Sequence, residues 1–342
     1  MTAACLTTST YAWFARNGDA IVEEMDLNLE TGSGLLVSLD GTNFSQDITF
    51  EMIKAKIEEN TGKLYDEIKY KPVTLKHNDQ GKIIYNNNYP VFEKDKLNRV
   101  NDELYSHNFV DAEVGDYLQF DLWFRLESNE QRSGNWDLFF SKTRSDNLDQ
   151  DGNILDEKLK TGIVGNTTTT KLNNRMTTLD HQYQANDYVT FNPADAMRMG
   201  VRSNNYFRIY EPEVGLGSAA IPGADPDGVH SFTKNAMISY YNNLYPKAPF
   251  KESDFASKYN ESYEGFQTVS NTATESCYTI DRLHKFNYAN DIENHYEDVK
   301  LTFVMWLEGW DADYFDGIDS ADDYDPSQFK VNLNFIVKRS ND

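Results

Sequence analysis

Tyr117-Leu-Gln-Phe-Asp-Leu-Trp-Phe-Arg-Leu126 puts Leu118, Phe120, Leu122, Phe124 and Leu126 at every second position. Successive side chains of an extended chain point to opposite faces, so the alternation predicts a strand with one buried face. The pattern returns in Val299, Leu301, Phe303, Met305 and Leu307. It returns again in Phe329, Val331, Leu333, Phe335 and Val337, with Lys330, Asn332, Asn334 and Ile336 between them. Shorter candidates lie at 7–14, at 21–29 with Met25, Leu27 and Leu29 in phase, and at 35–39, 71–75, 82–85, 136–140, 197–201 and 206–210. Asp40-Gly41, Asp79-Gln-Gly81, Gly152-Asn153 and Ser203-Asn-Asn supply turn chemistry between them. Many unevenly spaced strands without βαβ alternation predict an all-β fold with helical insertions, an antiparallel jelly roll or β-sandwich.

Helices are expected as additions to that frame. In 48–59 Phe50, Ile53 and Ile57 fall on one side, and Thr61-Gly62 stops the helix; a second candidate covers 231–244. The stretch 148–188 is polar, and 210–230 carries Gly215-Leu-Gly217 and Ile221-Pro-Gly-Ala-Asp-Pro-Asp-Gly228, so both read as surface excursions. The expected organisation is one elaborated β-sandwich over 15–342 with insertions at about 50–62, 145–190 and 212–290. Residues 1–14 are expected to be a signal-peptide remnant, an amino-terminal donor strand, or both, because Met1 to Thr10 is small and weakly apolar like the end of an export signal.

Charge narrows the partners. The 32 Lys and Arg against 55 Asp and Glu leave a formal charge of -23, which repels a phosphate backbone, so nucleic acid is not an expected partner. Aromatic residues are 13% of the chain, too many for a solvating acidic tail, and folding is expected. No stretch approaches the ~18 to 20 consecutive apolar residues that a membrane span needs. Cys5 and Cys277 give neither a disulfide framework nor a four-cysteine zinc site.

Catalytic signatures are missing from the sequence: no phosphate-binding loop, no nucleophile elbow, no His-Glu-x-x-His, and no histidine pair at helical ligand spacing among the six histidines. The expectation is a protein that is not an enzyme and has no cofactor other than calcium. Calcium is suggested by Asn147-Leu-Asp-Gln-Asp-Gly-Asn-Ile-Leu-Asp-Glu157, where Asn147, Asp149 and Asp151 precede Gly152 at calcium-loop spacing. The twelfth position is Lys158 rather than a bidentate Glu, so Asp156 or Glu157 would have to complete a shorter loop. A solvated turn rich in Asp and Gly would read the same way. Asp311 and Asp313 open a second acidic run that continues to Asp325 and would need solvent, salt or a cation to relieve its repulsion.

The amino-terminal Thr8-Ser-Thr-Tyr-Ala-Trp-Phe14, then Leu35-Leu-Val-Ser-Leu-Asp-Gly-Thr-Asn-Phe44, and Val304-Met-Trp-Leu-Glu-Gly-Trp-Asp-Ala-Asp313 near the end form a combination that resembles the TasA and camelysin group of secreted proteins of Gram-positive bacteria and relatives. The resemblance implies a jelly-roll subunit of an extracellular or cell-surface filament or biofilm-matrix fibre, secreted after signal removal and assembled with copies of itself by donor-strand complementation. Thr10, Tyr11, Ala12, Trp13 and Phe14 would form the polymerisation strand, adding to an open edge of the next subunit, unless the same segment pairs within its own domain. Two other readings stay open: a phage virion structural protein, as capsid decoration or head fibre, and a polysaccharide-binding module in which exposed aromatics stack on sugars.

Overall fold

In a computed structural model the chain is described over residues 20–29, 33–210, 249, 279–309 and 327–340, apart from single positions and short stretches within 69–196 and at 293. In chain order the frame consists of β1 (Ala20–Leu29), β2 (Leu35–Ser38), α1 (Phe50–Thr61), β3 (Pro72–Leu75), β4 (Phe92–Asp95) and β5 (Phe109–Asp111). It continues through β6 (Leu118–Leu126), β7 (Trp136–Ser141), β8 (Gly162–Val164), β9 (Met197–Arg202) and β10 (Phe207–Tyr210), and ends with β11 (Thr279–Phe286), β12 (Val299–Glu308) and β13 (Ser327–Arg339). One sheet runs β1-β13-β7-β11, with β8 also paired to β13. The other runs β10-β9-β12-β6-β2, and β3, β4 and β5 extend it from the end of β12. The expected strands at 7–14, the helix at 231–244, and both cysteines lie outside the described residues.

The inner faces of the two sheets meet through the positions that the alternation marks. Phe120, Phe124 and Phe303 from one sheet interleave with Phe140 and Phe335 from the other. Phe140 stacks on Phe335 at 4.9 Å between centroids, and Phe303 meets Phe335 edge-on at 6.0 Å. Such pairs each add about 0.5–1.5 kcal/mol to what burial alone supplies. This is the β-sandwich expected from the sequence.

The pairing is mostly antiparallel, with two departures. β1 runs parallel to β13 from Ala20↔Ser327 to Leu29↔Phe335, and the end of β12 runs parallel to β3. A parallel pair needs a long connection rather than a hairpin, and β1 and β13 are separated by nearly the whole described frame. β12 departs from the one-faced reading in another way. Val304 and Trp306 point away from the first core and are fully buried in a second one with Val73, Leu75, Phe92, Tyr117, Phe207 and Ile209.

Helix α1 forms as the periodicity predicts. The Thr49 side chain accepts from Met52 N, Gly62 ends the helix in left-handed backbone at φ 67°, and Ile53 and Ile57 are buried between β1 and β6. Thr279–Phe286, inside the span expected as an insertion, is a frame strand paired with β7. Among the described residues, no helix is long and apolar enough to cross a membrane.

Candidate functional site

The acidic loop expected to bind calcium lies over the outward face of β13. It is built from polar side chains that satisfy its own backbone. Asn147, 3% exposed, donates from Nδ2 to Thr143 Oγ1 at 2.7 Å and to the Asp156 carbonyl at 2.8 Å, and its Oδ1 accepts from Asp156 N at 2.8 Å. Asp149 Oδ1 accepts from the backbone of Asp151 at 2.9 Å and Asn153 at 2.7 Å, and its Oδ2 accepts from Asn153 Nδ2 at 2.9 Å. Asp156 caps the short 3-10 turn at Glu157–Leu159 through Lys158 N. The structure thus gathers Asn147, Asp149, Asp151 and Asp156 into one loop, in which the side-chain oxygens of Asn147, Asp149 and Asp156 take donors from the loop itself, the geometry of an Asx-stapled turn. Among the described residues no group of three or more His, Cys, Asp or Glu is placed to hold a metal ion. Asp311, Asp313 and Thr10, Tyr11, Ala12, Trp13 and Phe14 lie outside the described residues.

An asparagine ladder that the sequence reading missed fastens this loop. Asn332 and Asn334 alternate with the core residues of β13, yet are only 4% and 2% exposed. Asn332 Nδ2 donates to the carbonyls of Lys158 and Lys160 at 2.7 and 2.9 Å. Asn334 donates to Thr161 Oγ1 at 2.8 Å and accepts from Asn28 Nδ2 at 3.0 Å. Their signal in the sequence was the presence of two amides, rather than charges, on the outward positions of a long strand. A strand amide read in isolation signals only a polar face.

Beside the loop a cleft of about 490 Å³ opens where β1 ends and β2 begins. Leu29, Leu148 and Ile336 contribute half-buried apolar side chains to it over the buried Leu27, Leu35 and Phe335, and Asp47, Arg144, Asp146 and Asp149 contribute to a lining that is at least as polar as apolar. Arg144 forms a bidentate pair with Asp146, which holds the Asp146 carboxyl below its ordinary range and raises the guanidinium. The Ser141 and Thr143 hydroxyls in the lining donate to the carbonyls of Thr143 and Leu159. Chemically the cleft offers a mixed polar and apolar lining beside the end of an edge strand, where an extended peptide could pair its backbone and place a side chain against Leu29 and Leu148. No family model matches the chain, and neither the curated proteins nor the solved structures contain a match to it.

Proposed function

We propose that this chain is an extracellular structural protein that polymerises with copies of itself, the segment Thr10–Phe14 of one subunit entering the cleft beside β1 of the next. The observation that carries the reading is the edge strand β1 with a cleft of mixed polar and apolar lining at its end. Tyr11, Trp13 and Phe14 supply side chains for that cleft, and backbone pairing along the edge supplies affinity. A contact between two different surfaces of identical subunits need not close, so it generates a fibre. The resemblance to TasA and camelysin proteins supports the same arrangement, and the jelly-roll order expected of such subunits belongs to this proposal.

The test is electron microscopy of the purified chain beside a version lacking residues 1–14 and a Leu148→Lys variant, which puts a charge into the cleft lining from a half-buried loop position. Filaments from the full chain alone, blocked by an added peptide of residues 1–18, are the expected outcome. Monodisperse monomers from all three chains, or filaments from all three, would overturn strand donation.

A further inference from the structure

The second sheet carries, beyond the edge of the Trp306 core, a strip of rings and paired charges on its outward face. Side chains directly opposed across the strands build it. Trp123 of β6 stands between Ser38 of β2 and Lys300 of β12, and in the next row Asp121 faces Thr302, which faces Arg202 of β9. The hairpin Tyr85–Asn86/Tyr89–Pro90 adds two more rings. Tyr89 donates its hydroxyl to Asp121 Oδ2 at 2.7 Å, and Lys300 Nζ donates to the same oxygen at 3.1 Å and to the Tyr89 hydroxyl at 3.2 Å. The Arg202 guanidinium lies 4.1 Å from the Tyr85 ring centre. At the other end Arg125 lies 3.9 Å from the Phe44 ring centre and is held by both oxygens of Asp298, at 2.8 and 2.7 Å. The Asp40–Asn43 turn packs over one face of the indole's five-membered ring, since a Cβ on Gly41 would sit 3.0 Å from Trp123 Nε1 and 3.2 Å from Cδ1 and Cε2. Water reaches the strip unevenly: the side chains of Lys300, Arg125 and Asp298 are 39%, 27% and 26% exposed and Tyr85 is 36% exposed, Trp123 and Tyr89 are half-buried, and Asp121 is 15% exposed.

We propose that this strip, centred on Trp123, Tyr89, Asp121 and Lys300, binds an uncharged polysaccharide. Three observations select that occupant. β6 lies between β2 and β12, and β12 between β6 and β9, so the strands under the strip have no free backbone edge to pair with a peptide and recognition there goes through side chains. The charges come as matched pairs, Lys300 with Asp121 and Arg125 with Asp298, in a chain of net charge -23, so a polyanion is repelled and the strip calls for no counter-charge. Finally, rings alternate with hydrogen-bonding groups. The C–H face of a pyranose stacks on an aromatic ring, and its neighbouring hydroxyls would share the carboxylate oxygens of Asp121 and Asp298 with the donors these already accept from Tyr89, Lys300, Thr302 and Arg125. Rows built on neighbouring strands repeat at roughly 4.8 Å, comparable to one sugar ring, so the strip fits a run of several sugars.

The test is retention of the full chain on cellulose, chitin, insoluble β-1,3-glucan and mannan at about 0.15 M and about 0.5 M NaCl, the higher salt removing simple ion exchange. The expected result is retention on at least one of them at both salt concentrations. Trp123→Ala and Tyr89→Ala should each weaken it by about tenfold or more, and Lys300→Met should also weaken it. Thermal unfolding of Tyr89→Ala and Lys300→Met, both altered at partly exposed side chains, shows that the fold is kept. Absence of retention on all four, equal retention by the folded variants, or retention lost at the higher salt would overturn the proposal. It stands apart from polymerisation: a monomer that binds glycan through Trp123 sinks only the filament, and a filament that ignores glycans sinks only this.

Discussion

At Gly62 helix α1 ends in left-handed backbone, and a Cβ added there would meet no heavy atom within 4 Å. Gly62→Ala therefore costs only the backbone strain, about 1 kcal/mol. At Gly200, inside β9, no positive φ is required, but a Cβ would lie 2.6 Å from the Phe207 ring and 2.8 Å from Val304 Cγ2. Both neighbours belong to the second core, so Gly200→Ala overpacks it by about 1–3 kcal/mol. Urea denaturation should rank Gly200→Ala as the more damaging of the two; the reverse order would mean that the Phe207 ring has room to move. His284 gives a residue-scale pH prediction. Burial on β11, with the Phe286 ring edge-on at 4.9 Å, pushes its imidazole down to about 4 from 6.5. The folded chain holds it neutral while the unfolded chain takes up a proton, so its contribution is complete above 6.5 and is lost as the pH falls towards 4. The stability gap between the wild type and His284→Gln should therefore differ between about pH 5 and about pH 7.5. An unchanged gap would show that His284 titrates normally in the fold.

Elements were legible where their period was unbroken. β6, β12 and β13 follow from alternation, and α1 from Phe50, Ile53 and Ile57 with a terminal glycine, although its start at the Thr49 cap lies past the expected 48. β11 was hidden because its pairing with β7 shifts register at Leu138/Phe139 and again at Phe140/Ser141, which breaks the phase that marks a buried face. A similar shift at Val22/Glu24 in β1 puts buried Val22 out of step with Met25 and Leu27. β8 is only three residues long, too short for any period to appear. Of the candidate site, the acidic loop was visible as composition, but its fastening to the sheet was not, because the partners of Asn332 lie more than 170 positions away in sequence. That fastening is testable. Asn332→Ala leaves the Lys158 and Lys160 carbonyls without their donor, at about 1–3 kcal/mol. Hydrogen exchange should quicken in the segment 157–162 before it quickens in β6 or β12. Uniform quickening across both sheets would instead make Asn332 part of the global core.

On the scale of the whole molecule, a net charge of -23 opposes any contact between copies, so the polymerisation proposed above would be coupled to electrostatics. Exposed charges more than a Debye length apart are screened, and that length falls from ~10 Å at 0.1 M salt to ~3 Å at 1 M. If the proposed strand contact is made, filament growth should therefore accelerate as sodium chloride is raised, because the added strand's backbone pairing is not screened by salt while the repulsion between copies is. Calcium distinguishes screening from a specific site. The oxygens of Asn147 and Asp149 already accept hydrogen bonds within their loop, so calcium and magnesium at matched ionic strength are expected to promote growth equally. Asp149→Asn keeps one acceptor oxygen for the turn and removes a charge, so its growth rate should depend on salt almost as the wild type's does. A surplus effect of calcium that vanishes with Asp149→Asn and with chelator would reverse this expectation. It would make the loop beside the cleft a cation site that gates assembly, because an ion held there would lower the charge of the surface that the incoming strand must approach.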